Sequence, residues 1–250
     1  MKANCKQQRR GMSGLLGNTS TYGLYIAFIL IFIVLAIANP TFISGRNIIN
    51  ILKQGSINSV VAIGAAFVLI SGGLDLSIGS VVAFAGVSSA IFGLPGEYPL
   101  IVPILVGVGV GVLVGIFNGL LVTKGNVAPF IVTLGVMTAA RGAALIIANG
   151  RPVSDLTDDF RFIGGGELFG IPFPIIIMIV IFLIALFILT KTRFGRYIYA
   201  IGGNEEAARA SGIKVHKIKI LVYVICSGLA GLAGVVQASR ISVGQPSIGT

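Results

Sequence analysis

The chain has no tryptophan, one histidine, two cysteines and few charges: 10% of its 250 residues are Asp, Glu, Lys or Arg, against 55% that are hydrophobic. Soluble globular domains carry about 25% charged residues, and a fold of this size would still leave roughly a quarter of its surface in water. That shortage of charge excludes a soluble protein and leaves the bilayer as the solvent. Cys5 sits in a basic tail and Cys226 in an apolar run, so neither a structural disulfide nor a metal-ligand spacing is expected. His216, the single histidine, lies in a basic stretch and reads as solvated. No nucleophile stands beside a base and no carboxylates pair within apolar sequence, so no catalytic residue, metal or cofactor is expected. A Gly-Lys-Ser/Thr phosphate loop is also missing, so the chain does not itself bind and split ATP in the usual way. Without tryptophan, any aromatic belt at the membrane interface must come from Tyr and Phe.

What the sequence does hold is long uncharged runs. A helix needs about 20 mostly apolar residues to cross the hydrocarbon core. Spans are expected at about residues 22–38, 57–71, 78–92, 100–122, 128–148, 171–190 and 220–237, giving an all-α, polytopic transmembrane bundle. The second and third are short, and so are tilted or broken near residues 72–77. The first follows Lys2, Lys6, Arg9 and Arg10 and ends in Ala36-Ile37-Ala38, as a cleaved signal would. Its longer apolar run, and the spans after it, favour an uncleaved helix.

Seven spans fix which loops share a side. With the N-terminus inside, the inner loops hold twelve basic residues, from Lys2 to Lys219. The outer side holds five (Arg46, Lys53, Arg151, Arg161 and Arg240), and Arg141 lies within a span. The positive-inside rule selects this orientation. The net charge of +10 therefore points to an anionic cytoplasmic leaflet and not to nucleic acid. The organisation expected is a basic cytoplasmic tail at 1–21 and a transmembrane domain at 22–250, with a cytoplasmic loop at 191–219.

Among the 35 glycines, Gly107, Gly111, Gly115 and Gly119 recur every fourth residue and make one smooth helix face, with Gly228, Gly231 and Gly234 doing similar work in the last span. Asp75 is the one acid within the apolar region, in Gly72-Gly73-Leu74-Asp75-Leu76-Ser77. Two roles remain open for it: capping a helix that starts near Leu76, or taking part in a translocation path. Asn118 and Asn126 flank the inner end of the fourth span and either line that path or bond between helices. Arg141 needs a partner, for which Asp155, Asp158 or a neighbouring helix are the options.

The inner loop is the most informative stretch. Asn204 suits a helix N-cap, Glu205 and Glu206 suit its positive end, and Gly212 suits its stop. A compact, capped helix of about two turns between two spans reads as a docking element.

Here the sequence resembles the permease subunits of ATP-binding-cassette importers, whose coupling loop carries Glu-Ala-Ala, three residues, then Gly, as in Glu206, Ala207, Ala208 and Gly212. Three further stretches are similar to the ribose, xylose and autoinducer-2 branch: residues 72–80, residues 128–135, and Gly195-Arg196-Tyr197 through Gly202-Gly203-Asn204. The resemblance implies that Glu206 and Gly212 mark the coupling site, with Ala207 and Ala208 packing against an ATPase. It also implies the partners: ATP-binding cassette subunits at the cytoplasmic face, an external sugar-binding protein, a second permease copy and the lipid bilayer. It places the chain in a bacterial plasma membrane. Family members usually continue beyond the equivalent of Gly244-Gln245-Pro246, so the resemblance reads a chain ending at Thr250 as C-terminally truncated: a fragment, a truncated reading frame or an unusually short subunit. Ribose is the default substrate, with other pentoses, hexoses and autoinducer-2 as options. The competing functions are an ion-coupled secondary transporter, a membrane enzyme and an efflux component. The first would be expected to show more membrane acids or paired interrupted helices.

Overall fold

The computed structural model describes Gly23 and residues 25–96 and 98–249. The basic tail with Lys2, Cys5, Lys6, Arg9 and Arg10, the start of the first expected span at Tyr22, and Glu97 lie outside the described residues. The chain divides into two units, residues 1–51 and 52–250.

In the first unit, α1 (Tyr25–Ala38) is an apolar helix. Asn39 ends it and caps a 3-10 turn (Pro40–Ile43), its side chain accepting from the Thr41 N–H at 3.0 Å. Asn47 Nδ2 donates to the Phe42 carbonyl at 2.7 Å, fixing the turn on the helix that follows.

That helix, α2 (Gly45–Ile70), begins twelve residues before the expected span at Ile57. Arg46 and Lys53 therefore lie on helix and not in a loop. A seven-residue break separates it from α3 (Ile78–Phe92), then come α4 (Ile101–Thr123) and α5 (Pro129–Ile147). A short helix α6 (Asp158–Gly165) and a two-strand hairpin, β1 (Glu167–Leu168) with β2 (Ile171–Pro172), lead into α7 (Phe173–Lys191). The chain continues through α8 (Arg193–Gly203) and α9 (Glu205–Ala210) to α10 (Val215–Ile241). Five of these helices, α2, α4, α5, α7 and α10, are long and apolar enough to cross a membrane; α1 and α3 are shorter apolar helices.

Burial sorts the helices. α3 hides ten of its fifteen residues and α10 hides thirteen, so these two form the centre. α7 is apolar throughout yet buries only Pro174 and Ala185, as a helix bathed in lipid on most sides would.

The glycine face of α4 is what brings α10 close. A Cβ on Gly115 would meet the Tyr223 carbonyl at 2.6 Å and the Val224 Cα at 2.7 Å; one on Gly119 would meet the Ile220 Cα at 2.8 Å. Gly107 lies against Val235 and Gly111 against Ser227 and Gly231, so the contact runs over four turns. With no hydrophobic drive between helices in lipid, this backbone approach supplies dispersion contact instead. On α10, Gly231 takes part, facing the Gly107 carbonyl, while Gly234 does the same work against α3, facing the Val82 carbonyl. Gly228 also faces α4, but with no close backbone approach: a Cβ there would meet only the Val112 side chain, at 3.4 Å, ordinary contact.

The remote ends are tied down separately. Thr157 caps α6, and Ser239 of α10 accepts from the Gly164 N–H at 2.6 Å and donates to the Phe160 carbonyl at 2.5 Å. Lys53 of α2 pairs with Glu167 of β1 at 3.4 Å.

Candidate functional site

The break between α2 and α3 is built by small residues and one acid. Gly72 has a φ of +75°, a left-handed turn that a side chain would strain. Asp75 then closes a tight turn: its Oδ1 accepts from the Ser77 N–H at 2.8 Å and from the Ser77 hydroxyl at 2.6 Å. This holds the residue just before α3, one step short of bonding the helix's own first N–H groups. Asn118, buried in α4, donates through Nδ2 to the Ser77 hydroxyl oxygen at 3.0 Å. The Tyr223 hydroxyl of α10 donates to the Leu74 carbonyl at 3.2 Å. Asp75 Oδ2 and Asn118 Oδ1 are buried without a partner among the described residues. Asp75 and Asn118 are thus brought together. Asn126 is not: it is exposed, in the turn between α4 and α5, with a left-handed φ of +52° that asparagine tolerates well.

Arg141 has partners that no pattern suggested. Its Nη1 donates to the Pro246 carbonyl at 3.2 Å and the Ile248 carbonyl at 2.9 Å. The acids offered as alternatives are elsewhere, with Asp158 on Arg161 at 3.4 Å.

On the loop between α7 and α10, α8 begins at a Thr192 cap and buries Gly195, Ile198 and Ile201 while Tyr197 and Tyr199 stay exposed. This is the pattern of a helix lying along an interface. Its penultimate residue, Gly202, is seated on the end of α2: a Cβ there would collide with the Ile70 carbonyl, and the Gly72 nitrogen lies 3.5 Å away.

Immediately after comes α9, capped at both ends. The Asn204 side chain accepts from the Ala207 N–H at 2.9 Å. At the other end Gly212, with φ +82°, donates to the Arg209 carbonyl and Ile213 to the Ala208 carbonyl, which together form a Schellman stop. Glu205 binds Arg209 at 3.0 Å and also Lys219 of α10. The Lys219 hydrogen bond, helped by Arg209, holds the Glu205 carboxyl below its ordinary value against the opposing effect of burial. The link is therefore complete at neutral pH and is lost as pH falls through that lowered value. Glu206 and Ala207 are exposed. Ala208 turns inward, 4% exposed, against Ile201 and Val215, so it seats the helix and is not presented for contact with another protein. A cavity of about 570 Å³ opens beside α9, lined by Thr123, Lys124, Arg209, Lys214, His216 and Lys217 among others.

Comparison with known proteins places the chain in a family. The family described as branched-chain amino acid transport system / permease component matches residues 47–250. The ribose import permease of Haemophilus influenzae is 44% identical over 229 residues, 90% of this chain and 71% of that protein. That of Bacillus subtilis is 43% identical over 229 residues, 91% of this chain and 71% of the relative. An L-arabinose ABC transporter permease of Azospirillum brasilense is 37% identical over 237 residues, 95% of this chain and 70% of its own length. No solved structure matches. The chain belongs to this family of permease components, as a helical, membrane-embedded transport subunit and not an enzyme.

Proposed function

We propose that the chain is the membrane-spanning subunit of an ATP-binding-cassette importer that carries a ribose-like monosaccharide across a bacterial plasma membrane. Its partners are an ATP-binding subunit at the cytoplasmic face and an external substrate-binding protein, with a second copy of the permease completing the pathway. The N-terminal tail at 1–21 and the loop at 191–219 lie in the cytoplasm. The observation that carries this reading is α9, a doubly capped helix on the loop between two apolar helices, with Glu206 and Ala207 outward and Gly212 closing it.

The mechanism follows from what α9 touches. An ATPase that binds two states of the bundle with different affinity shifts the population between them. Force applied to α9 reaches Gly202 three residues away, and Gly202 bears on Ile70 at the end of α2. The next residues are the break that Asp75, Ser77 and Asn118 hold in shape. A short rigid lever thus ends on a non-helical joint, the place where a packed bundle has two arrangements to choose between. Sugars are neutral polyols, so a sparsely charged interior with amide and hydroxyl groups suits their passage.

The test is reconstitution with the partner subunits in proteoliposomes and uptake of labelled D-ribose and L-arabinose. Uptake is expected to need ATP and to persist when an ionophore collapses the proton gradient. Uptake that runs without ATP and stops with the gradient would establish an ion-coupled transporter instead.

A further inference from the structure

α9 rests on α10 at two points that share one face of each helix. Ala208 is seated on Val215, with Ile201 and Ile218 beside it. One turn earlier, Glu205 takes Lys219 of α10 through Oε2. Glu205 and Ala208 are three residues apart, and Val215 and Lys219 four apart, spacings that put each pair on one helix face. The two contacts differ in kind. A buried methyl holds α9 against α10 without fixing its direction, because apolar contact has none. The ion pair supplies the direction and stops α9 from rolling about Ala208.

The other cation on Glu205 has a different task. Arg209 Nη2 donates to Oε1 at 3.0 Å, but Arg209 lies on α9 itself, four residues on, so that pair only braces the helix internally. Lys219 is the cation that crosses to another element. Its side chain is 19% exposed and that of Glu205 38%, so the pair is partly withdrawn from the water and salt that weaken ion pairs on an open surface.

Lys219 also stands at the head of a route into the bundle. Val215, Lys219 and Tyr223 recur every fourth residue and form one stripe of α10, about 12 Å long at about 1.5 Å per residue. Tyr223 is buried, and its hydroxyl donates to the Leu74 carbonyl at 3.2 Å, within the break between α2 and α3. Beside the stripe, Ile220 lies against Gly119 of α4, where a Cβ would come 2.8 Å from its Cα. Asn118, the neighbour of Gly119, holds Ser77 at 3.0 Å. A displacement of α10 therefore arrives at both Leu74 and Ser77. Gly202 bears on the other side of the same break, at Ile70. One short helix thus reaches the two sides of the joint by separate arms, and a joint changes shape when its sides move relative to each other.

We infer that Lys219 is a positioning residue for coupling: by holding Glu205 it makes α9 and α10 move together, so that a push on α9 reaches the Asp75 joint through Tyr223 as well as through Gly202. This rests on the importer reading. The test uses Lys219→Met in the complete reconstituted importer, with uptake of D-ribose or L-arabinose and ATP hydrolysis measured in the same vesicles. Lys219→Met is expected to raise the ATP hydrolysed per sugar taken up by about fivefold or more, the lower end of ordinary coupling between sites. Lys219→Arg keeps a charged donor for Glu205 and is expected to stay within about twofold of wild type. Glu205→Gln is expected to match Lys219→Met, and the two together to do no more harm than either, since residues that act through one contact are not additive. Lys217→Met removes a charge from the same turn of α10 at an exposed position outside the pair, and is expected to couple as wild type does. Normal coupling in Lys219→Met, equal loss in Lys217→Met, or additive losses in the double variant each overturn the proposal. If Lys219→Met fails to assemble, Lys219→Gln gives the same readout. Wild type in the same vesicles judges the importer reading separately. Wild-type uptake that ignores ATP removes that reading, whereas ATP-driven uptake by wild type with equally tight coupling in Lys219→Met removes only the role of Lys219.

Discussion

Gly202→Val is expected to abolish most ATP-driven uptake in a protein that still inserts and purifies normally. Gly202 has no room for a side chain, because its Cα faces the Ile70 carbonyl and the Gly72 nitrogen. A branched side chain must push α8 away from the end of α2 and lift α9 with it. Forced overpacking costs about 1–3 kcal/mol, and at about 1.4 kcal/mol per tenfold this shifts the balance between two states of the bundle by roughly five- to a hundredfold. The neighbouring residue provides the control. A Cβ on Gly203 meets nothing within 4 Å, so Gly203→Ala is expected to transport nearly as well as wild type. Uptake per inserted protein, alongside basal ATP hydrolysis by the complex, separates lost coupling from lost folding: coupling fails while hydrolysis continues. Equal uptake by both variants would remove Gly202 from the transmission path.

The second large effect is expected at Asp75, and the two obvious substitutions should differ sharply. Asp75→Ala leaves both the Ser77 N–H and hydroxyl without their acceptor inside the bundle. Each orphaned buried donor costs about 1–3 kcal/mol, so uptake is expected to fall by about tenfold or more, with lower thermal stability. Asp75→Asn keeps an oxygen for Ser77 and replaces the unpartnered Oδ2 with an amide donor, in a network where Asn118 Oδ1 is a buried acceptor without a donor. It is expected to retain uptake within about twofold, since a satisfied buried network needs hydrogen bonds more than charge. Uptake and melting temperature of the two variants, measured together, decide the matter. Equal loss in both would mean that the carboxylate itself serves transport.

Both predictions rest on features that differ in how far a one-dimensional pattern reveals them. α9 was fully legible, because a cap residue, two acids and a glycine stop are local signals within nine positions. The glycine face of α4 was legible for the same reason, since a four-residue repeat defines one side of a helix. The start of α2 was hidden by Arg46, Lys53 and Gln54, which break the apolar run without breaking the helix. α8 was missed because Gly195, Gly202 and Gly203 resemble loop sequence; the signals were Thr192 as a cap and the Ile198–Ile201 spacing on one face. The pairing of Ser77 with Asn118, and of Arg141 with the Pro246 and Ile248 carbonyls, joins residues far apart in the chain, and nothing local announces it. Asn126 takes a left-handed turn between α4 and α5, a backbone role that its place near a span end does not announce. Ala208 lies in the Glu-Ala-Ala motif of α9, yet its position on the helix face turns it inward.

On the proposed reading, α9 receives work from a separate nucleotide-hydrolysing subunit. The most direct measurement is site-specific crosslinking from Ala207→Cys, an exposed position on α9, in the assembled importer with and without ATP. A crosslink to the ATP-binding subunit, formed by reagent reaching the cytoplasmic side and changing in yield with nucleotide, is the predicted result. A position 207 thiol labelled only from outside, or never joined to that subunit while the complex transports normally, would exclude α9 as the coupling element.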